Sequence, residues 1–205
     1  MKAAQSGARR IGVFGGAFDP PHVAHVALVK AALAELQLDQ LRVVPTGGAW
    51  HKARALTPAP QRLAMAQLAF SELPRVVVDA CEIERGGPSY TIDTLREFKA
   101  LWPAAELFLI LGEDQVRALP KWRAGQEIAR LAIICVAARE DATGATSKLG
   151  INNGLESRFR HLSMPALSVS ASDIRHRIAT HAGVADLVFE PVARYIALHH
   201  LYQTT

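Results

Sequence analysis

Ile11-Gly12-Val13-Phe14-Gly15-Gly16-Ala17-Phe18-Asp19-Pro20-Pro21-His22-Val23-Ala24-His25 is the stretch on which the reading of this chain turns. A short apolar, β-prone run (11–14) stops at paired glycines, and a helical pattern of apolar residues occupies 23–38. Strand, tight turn and helix in that order form the first half of a βαβ unit. The pattern then repeats. Apolar runs at 41–44, 76–78, 107–111 and 131–137 read as strands, and stretches with helical character lie between them at 60–73, 91–101 and 123–130. Strands with little polar alternation are buried on both faces, and their alternation with helices implies right-handed crossovers. The fold class is therefore α/β, a Rossmann-like doubly wound parallel sheet with flanking helices in a single domain spanning 1–205. In such sheets ligands sit beyond the carboxyl ends of the strands, so the turns after strands are where chemistry is sought.

Composition agrees with that outline. The chain has 205 residues, 50% hydrophobic and 20% charged, enough to bury one core and too apolar for a disordered chain. No apolar run approaches the roughly 18 residues that would cross a bilayer. Lys2, Arg9 and Arg10 precede an apolar stretch as in a signal peptide, but Gly15, Gly16 and the Asp19-Pro20-Pro21-His22 segment interrupt it, so no secretion signal is read. The two cysteines, Cys81 and Cys135, lie in or beside apolar segments without metal-like spacing, as buried free thiols of a cytoplasmic protein would. A net charge of +4 suits an anionic ligand. The arginines are scattered and aromatics make up only 6%, which speaks against nucleic acid as a partner. Residues 1–10 read as a flexible tail, 141–154 as a mobile loop and 170–205 as a closing helical segment, with helices at 170–180 and 191–202. A monomer or weak homo-oligomer is expected.

The turn after the first strand is where phosphates would meet free backbone amides, and its two glycines let backbone approach a ligand. His22 and His25, three apart, fall on one face at the positive end of the helix, able to donate hydrogen bonds to phosphate oxygens. Alone, such a turn and such a pair are more often structural than functional. A zinc site lacks both a third ligand and the glutamate of a metalloprotease helix, so no protein-held metal is expected. Ser170, with Asp173 three residues on, opens a helix as a capping residue does, and Arg175 adds a charge one turn in; that start is a second anion site or simply a capped helix. Ser89, Tyr90 and Thr91 precede a helix and read as capping hydroxyls. Gly112 and Asp114 close the fourth strand, where an acidic side chain accepts ribose hydroxyls or merely begins a helix. In the loop at 45–52, Lys52 is a better candidate than Arg62 for neutralising phosphate charge.

The segment Gly-Gly-Ala-Phe-Asp-Pro-Pro-His-Val-Ala-His resembles the signature of the nucleotidyltransferases with a His-x-Gly-His motif, specifically the nicotinate-nucleotide adenylyltransferases, with Ala24 standing where the family usually has glycine. Val169-Ser170-Ala171-Ser172-Asp173-Ile174-Arg175 resembles that family's Ile-Ser-x-Thr-x-x-Arg motif, nearly 150 residues later and in the expected order. The resemblance implies adenylyl transfer from ATP, with Mg²⁺, to nicotinate mononucleotide. It implies that His22, His25, Lys52 and Arg175 are catalytic and that Gly15, Gly16, Phe18, Gly112, Asp114, Ser170 and Ser172 bind ATP with His22, His25 and Arg175. Nicotinate mononucleotide would be held by Gly16, Ala17, Lys52, Ser89, Tyr90, Thr91 and Trp122, the last from a Pro-x-Trp segment.

Overall fold

The computed structural model describes residues 9–48, 55–139, 158–164 and 167–203. Six strands, β1 (Arg10–Gly16), β2 (Gln40–Pro45), β3 (Val76–Val78), β4 (Glu106–Gly112), β5 (Ala132–Arg139) and β6 (Phe159–Met164), form a sheet in the order β3-β2-β1-β4-β5-β6. β1 pairs with β4, β4 with β5 and β5 with β6, all in parallel. This is the doubly wound, Rossmann-like order, and the direction of strand addition reverses between β1 and β4. The turn that follows β1 therefore leaves the sheet at the topological switch point.

The helices are α1 (Val23–Glu35), α2 (Ala59–Phe70), α3 (Cys81–Arg85), α4 (Thr91–Leu101), α5 (Glu113–Ala118), α6 (Gly125–Leu131), α7 (Ala171–Ala179) and α8 (Glu190–Leu198). The chain groups into two compact units, one of Met1–Gly15, Val29–Arg42 and Tyr90–Ala166, the other of Gly16–Leu28, Val43–Ser89 and Leu167–Thr205. In the first, Ile11, Phe108, Ile110, Ile134 and Cys135 are fully buried with Leu95 and Phe98 of α4. β1 is held tightly there. A Cβ on Gly12 would stand 2.6 Å from a Leu38 methyl, so only glycine lets this strand lie so close to the side chains over it. In the second unit Met65, Ala66 and Phe70 of α2, Val192 and Ile196 of α8, and Phe18 are buried.

Several elements differ from the sequence reading, each for a local reason. The strand begins at Arg10, inside the stretch expected to be a tail: the Asp39 carboxylate accepts the Arg9 and Arg10 amides at 2.7 and 2.9 Å, and the Arg10 guanidinium lies 4.6 Å from the Phe108 ring. α1 stops at Glu35 instead of Leu38, because Gln37 adopts a left-handed conformation (φ 49°) that turns Leu36 and Leu38 into the core. α8 ends at Leu198 instead of Tyr202, since His200 and Tyr202 are also left-handed (φ 49° and 64°). β6 was not expected. Only Leu162 is buried in it, so it presents no apolar run, and its pairing with β5 rests on backbone hydrogen bonds. Cys81 and Cys135 are free and buried, and burial pushes the Cys135 thiol up to about 12. Among the described residues no helix is long and apolar enough to cross a membrane. The expected loop at 141–154 lies outside the described residues.

Candidate active site

The turn from β1 into α1 carries the histidine pair. His22 is buried and His25 half-buried, their rings stacked with centroids 3.7 Å apart, and the Phe18 ring meets His25 edge-on at 5.2 Å. The His22 backbone N–H donates to Nδ1 of His25 at 3.1 Å. With Nδ1 occupied as an acceptor, the neutral His25 ring carries its proton on Nε2. Burial pushes His22 down to about 4, and burial together with the charge of His22 pushes His25 well below the ordinary histidine range. Both rings are therefore neutral at pH 7. Among the described residues the buried Nδ1 of His22 has no hydrogen-bond partner, an arrangement that costs about 1–3 kcal/mol.

These values fix the sign of an acid effect. Between about pH 6.5 and 4 the unfolded chain takes up protons that the folded rings refuse, so stability falls as the pH drops through that window. The ligand-free protein is expected to be about 2 kcal/mol less stable at pH 5 than at pH 7 from His22 alone. Melts at the two pH values in wild type and His22→Ala check this; an equal acid penalty in both would show that His22 is not buried neutral.

Asp19, buried in the same turn, is a hub. Its Oδ1 accepts the Tyr202 hydroxyl at 2.7 Å, its Oδ2 accepts the Thr57 amide at 3.4 Å, and its carbonyl accepts Arg175 Nη1 at 2.7 Å. Arg175 also donates to Ser172 Oγ at 2.9 Å, so two residues of the second motif are locked to each other and one of them to the turn that carries the first. Ser170 caps α7 as its spacing predicts, its Oγ accepting the Asp173 amide at 3.0 Å.

Two expectations are corrected here. Arg62 is not a solvated cation available to phosphate. It is 1% exposed and donates to the carbonyls of Thr57 (2.8 Å), Ala17 (2.9 Å), Thr46 (2.7 Å) and Gly47 (3.3 Å). Burial lowers its pKa while Asp19, first among the nearby acids, raises it. Nor does a hydroxyl cap α4. Ser89 Oγ instead accepts the amides of Gly47 and Gly48 at 3.0 and 3.2 Å, and the N-cap residue Tyr90 makes no side-chain capping hydrogen bond. Beside this contact lies an open cavity of about 600 Å³, lined by Gly47, Gly48, Ile83, Gly86, Gly87 and Pro88. A Cβ on Gly47 or Gly48 would meet the Glu82 or Gly87 carbonyl at 2.3 or 2.4 Å, so these loops touch only because both residues are glycine.

Ala17, Phe18, His22, His25, Ser89, Ser170, Ser172 and Arg175 thus belong to one unit, with Gly16 at its start. Gly15, Tyr90, Thr91, Gly112, Asp114 and Trp122 belong to the other. There, Gly112 ends β4 and Asp114 is exposed in the first turn of α5, so the acidic helix start foreseen as an alternative is present. The Arg123 guanidinium lies 4.6 Å from the Tyr90 ring, and Trp122 is half-buried. Lys52 lies outside the described residues. Among the described residues no cluster of three or more His, Cys, Asp or Glu could hold a metal ion. Sequence reasoning missed Asp19 and Tyr202; an aspartate before two prolines was the one signal for the first.

Residues 13–177 of this doubly wound chain match the family described as cytidylyltransferase-like, to which the chain belongs. A relative from Albidiferax ferrireducens, named "Probable nicotinate-nucleotide adenylyltransferase", is 74% identical over 96% of this chain and 99% of its own length. A relative of the same name from Dehalococcoides mccartyi is 40% identical over 94% of this chain and 97% of its own. Within the larger family the chain is thus a member of the nicotinate-nucleotide adenylyltransferases. In fold it matches the solved structure of Plasmodium falciparum nicotinic acid mononucleotide adenylyltransferase complexed with NaAD, at a TM-score of 0.76 and 20% identity over 95% of this chain and 97% of that one.

Proposed function

We propose that this chain transfers the adenylyl group of ATP to nicotinate mononucleotide, giving nicotinate adenine dinucleotide and pyrophosphate, a step of NAD biosynthesis. The near full-length 74% identity with a relative of that name carries the reading. An oxygen of the mononucleotide phosphate attacks the α-phosphorus of ATP in line, the bond from that phosphorus to the β-phosphate bridge breaks, and pyrophosphate leaves with the electron pair. The attacking group is already an anion, so alignment and charge stabilisation do the catalysis and no strong base is required.

In this reading His22 and His25 donate to the transferred and leaving phosphates, and Lys52 and Arg175 add fixed positive charge. Gly15, Gly16, Phe18, Ser170 and Ser172 offer backbone or hydroxyl donors to ATP, and Gly112 and Asp114 hold its ribose. Ala17, Tyr90, Thr91 and Trp122 are assigned to the mononucleotide, together with Gly16, Lys52 and Ser89. Triphosphate charge would be neutralised in part by Mg²⁺ bound with ATP. The motif resemblances and the local geometry of the histidine turn support these roles. We further propose a cytoplasmic monomer or weak homo-oligomer, with no nucleic-acid partner.

The start of α4 favours a carboxylate over an amide. Helix-end N–H groups attract an anion, and the N-cap Tyr90 makes no side-chain capping hydrogen bond to them. With ATP and Mg²⁺, kcat/KM is expected to be at least about tenfold higher for nicotinate than for nicotinamide mononucleotide, a difference of about 1.4 kcal/mol. Pyrophosphate release measured with each acceptor in parallel tests the reading. Equal or inverted efficiencies would defeat the specificity, and no release with either would defeat the activity.

A further inference from the structure

Arg62 and Ser89 meet the same two peptide groups from opposite sides. A trans peptide points its C=O and N–H in opposite directions. Arg62 Nη2 donates to the carbonyls of Thr46 and Gly47, while Ser89 Oγ accepts the amides of Gly47 and Gly48, the other ends of those peptides. The same guanidinium reaches Ala17 in the turn after β1, and the Thr46 amide donates to the Gly16 carbonyl at 2.9 Å. Ser89 adds a second tie, its own amide donating to the Gly48 carbonyl at 3.1 Å. Four of the five guanidinium N–H groups are thereby engaged with backbone, which leaves Arg62 poorly placed to bind substrate directly.

We propose that Arg62 and Ser89 form one clamp that sets the distance between the histidine turn and the loop after β2, and that both are positioning residues for the transfer. The proposal rests on the reading above, in which Gly16, Ala17 and the loop after β2 help hold the phosphates. It reassigns Ser89 from a substrate contact to a support of Gly47 and Gly48. A clamp of this kind acts on alignment. Its loss displaces reacting groups by a fraction of an ångström, which lowers turnover more than binding.

Ser89→Ala and Arg62→Lys are each expected to lower kcat about tenfold, with KM for ATP and for nicotinate mononucleotide within about threefold of wild type. Because both hold the same peptides, the double variant should lose little more than the worse single one. Ser89→Thr, which keeps the acceptor oxygen, restores kcat. Should Arg62→Lys fail to fold, the Ser89 pair carries the test. Independently of activity, hydrogen exchange of the Gly47 and Gly48 amides should quicken in Ser89→Ala and not in Ser89→Thr. A raised KM with unchanged kcat, losses that multiply in the double variant, or unchanged exchange in Ser89→Ala would overturn the clamp. A wild-type protein that releases no pyrophosphate would instead overturn the proposed activity, leaving the exchange result to judge the clamp.

Discussion

His25→Ala is expected to lower turnover by about a hundred- to a thousandfold, the usual cost of removing one preorganised donor from a developing oxyanion. The His22 amide fixes Nδ1 of His25 at 3.1 Å, stacking at 3.7 Å fixes the ring plane, and the ring proton sits on Nε2, the donor of the proposed mechanism, at the start of a helix whose dipole already favours negative charge. Alanine removes that donor and leaves the His22 amide without its acceptor, a loss of about 1 kcal/mol that a protein of this size survives. Pyrophosphate release by a folded His25→Ala protein is the measurement. Turnover near wild type would remove the imidazole pair from the chemistry.

Asp19→Ala is expected to destabilise the protein by roughly 3 kcal/mol, the effect of stripping acceptors and a buried charge from one site. Tyr202 and Thr57 each lose one partner, and Arg62 loses the negative charge that most offsets its burial. At about 2–4 °C per kcal/mol for a chain of this length, Tm should fall by about 6–12 °C. Tyr202→Phe removes a single hydroxyl and should cost about 1 kcal/mol. Thermal melts of the two variants test the order. An Asp19→Ala protein that melts with wild type would show that the turn is held by something other than this hub.

What was legible in the sequence follows from what each signal measures. The strands β1 to β5 announce themselves because a sheet covered on both faces needs uninterrupted apolar runs, and Val76–Val78 and Thr91–Leu101 appear at the expected bounds. β6 has no such run, since one buried leucine suffices at the sheet's edge. The histidine turn and the Ser170 cap were readable because both are contiguous in sequence. The contacts of Arg62, Ser89 and Tyr202 were not, because their partners lie at least 15, 41 and 183 residues away, at Thr46 and Gly47, at Gly48, and at Asp19. A lone arginine in a helix looks solvated until the carbonyls that surround it are known. The ends of α1 and α8 were overrun for the same reason: left-handed residues at 37, 200 and 202 halt helices that local propensity alone would continue.

Neutral rings have a consequence for the ionic environment in which the protein works. Added electrolyte weakens attraction between exposed charges within a Debye length of about 8–10 Å, but it does little to a directed hydrogen bond from a buried, uncharged imidazole. The hold proposed for His22 and His25 on a polyanion should therefore persist in concentrated salt, where a grip built only of lysines would slacken.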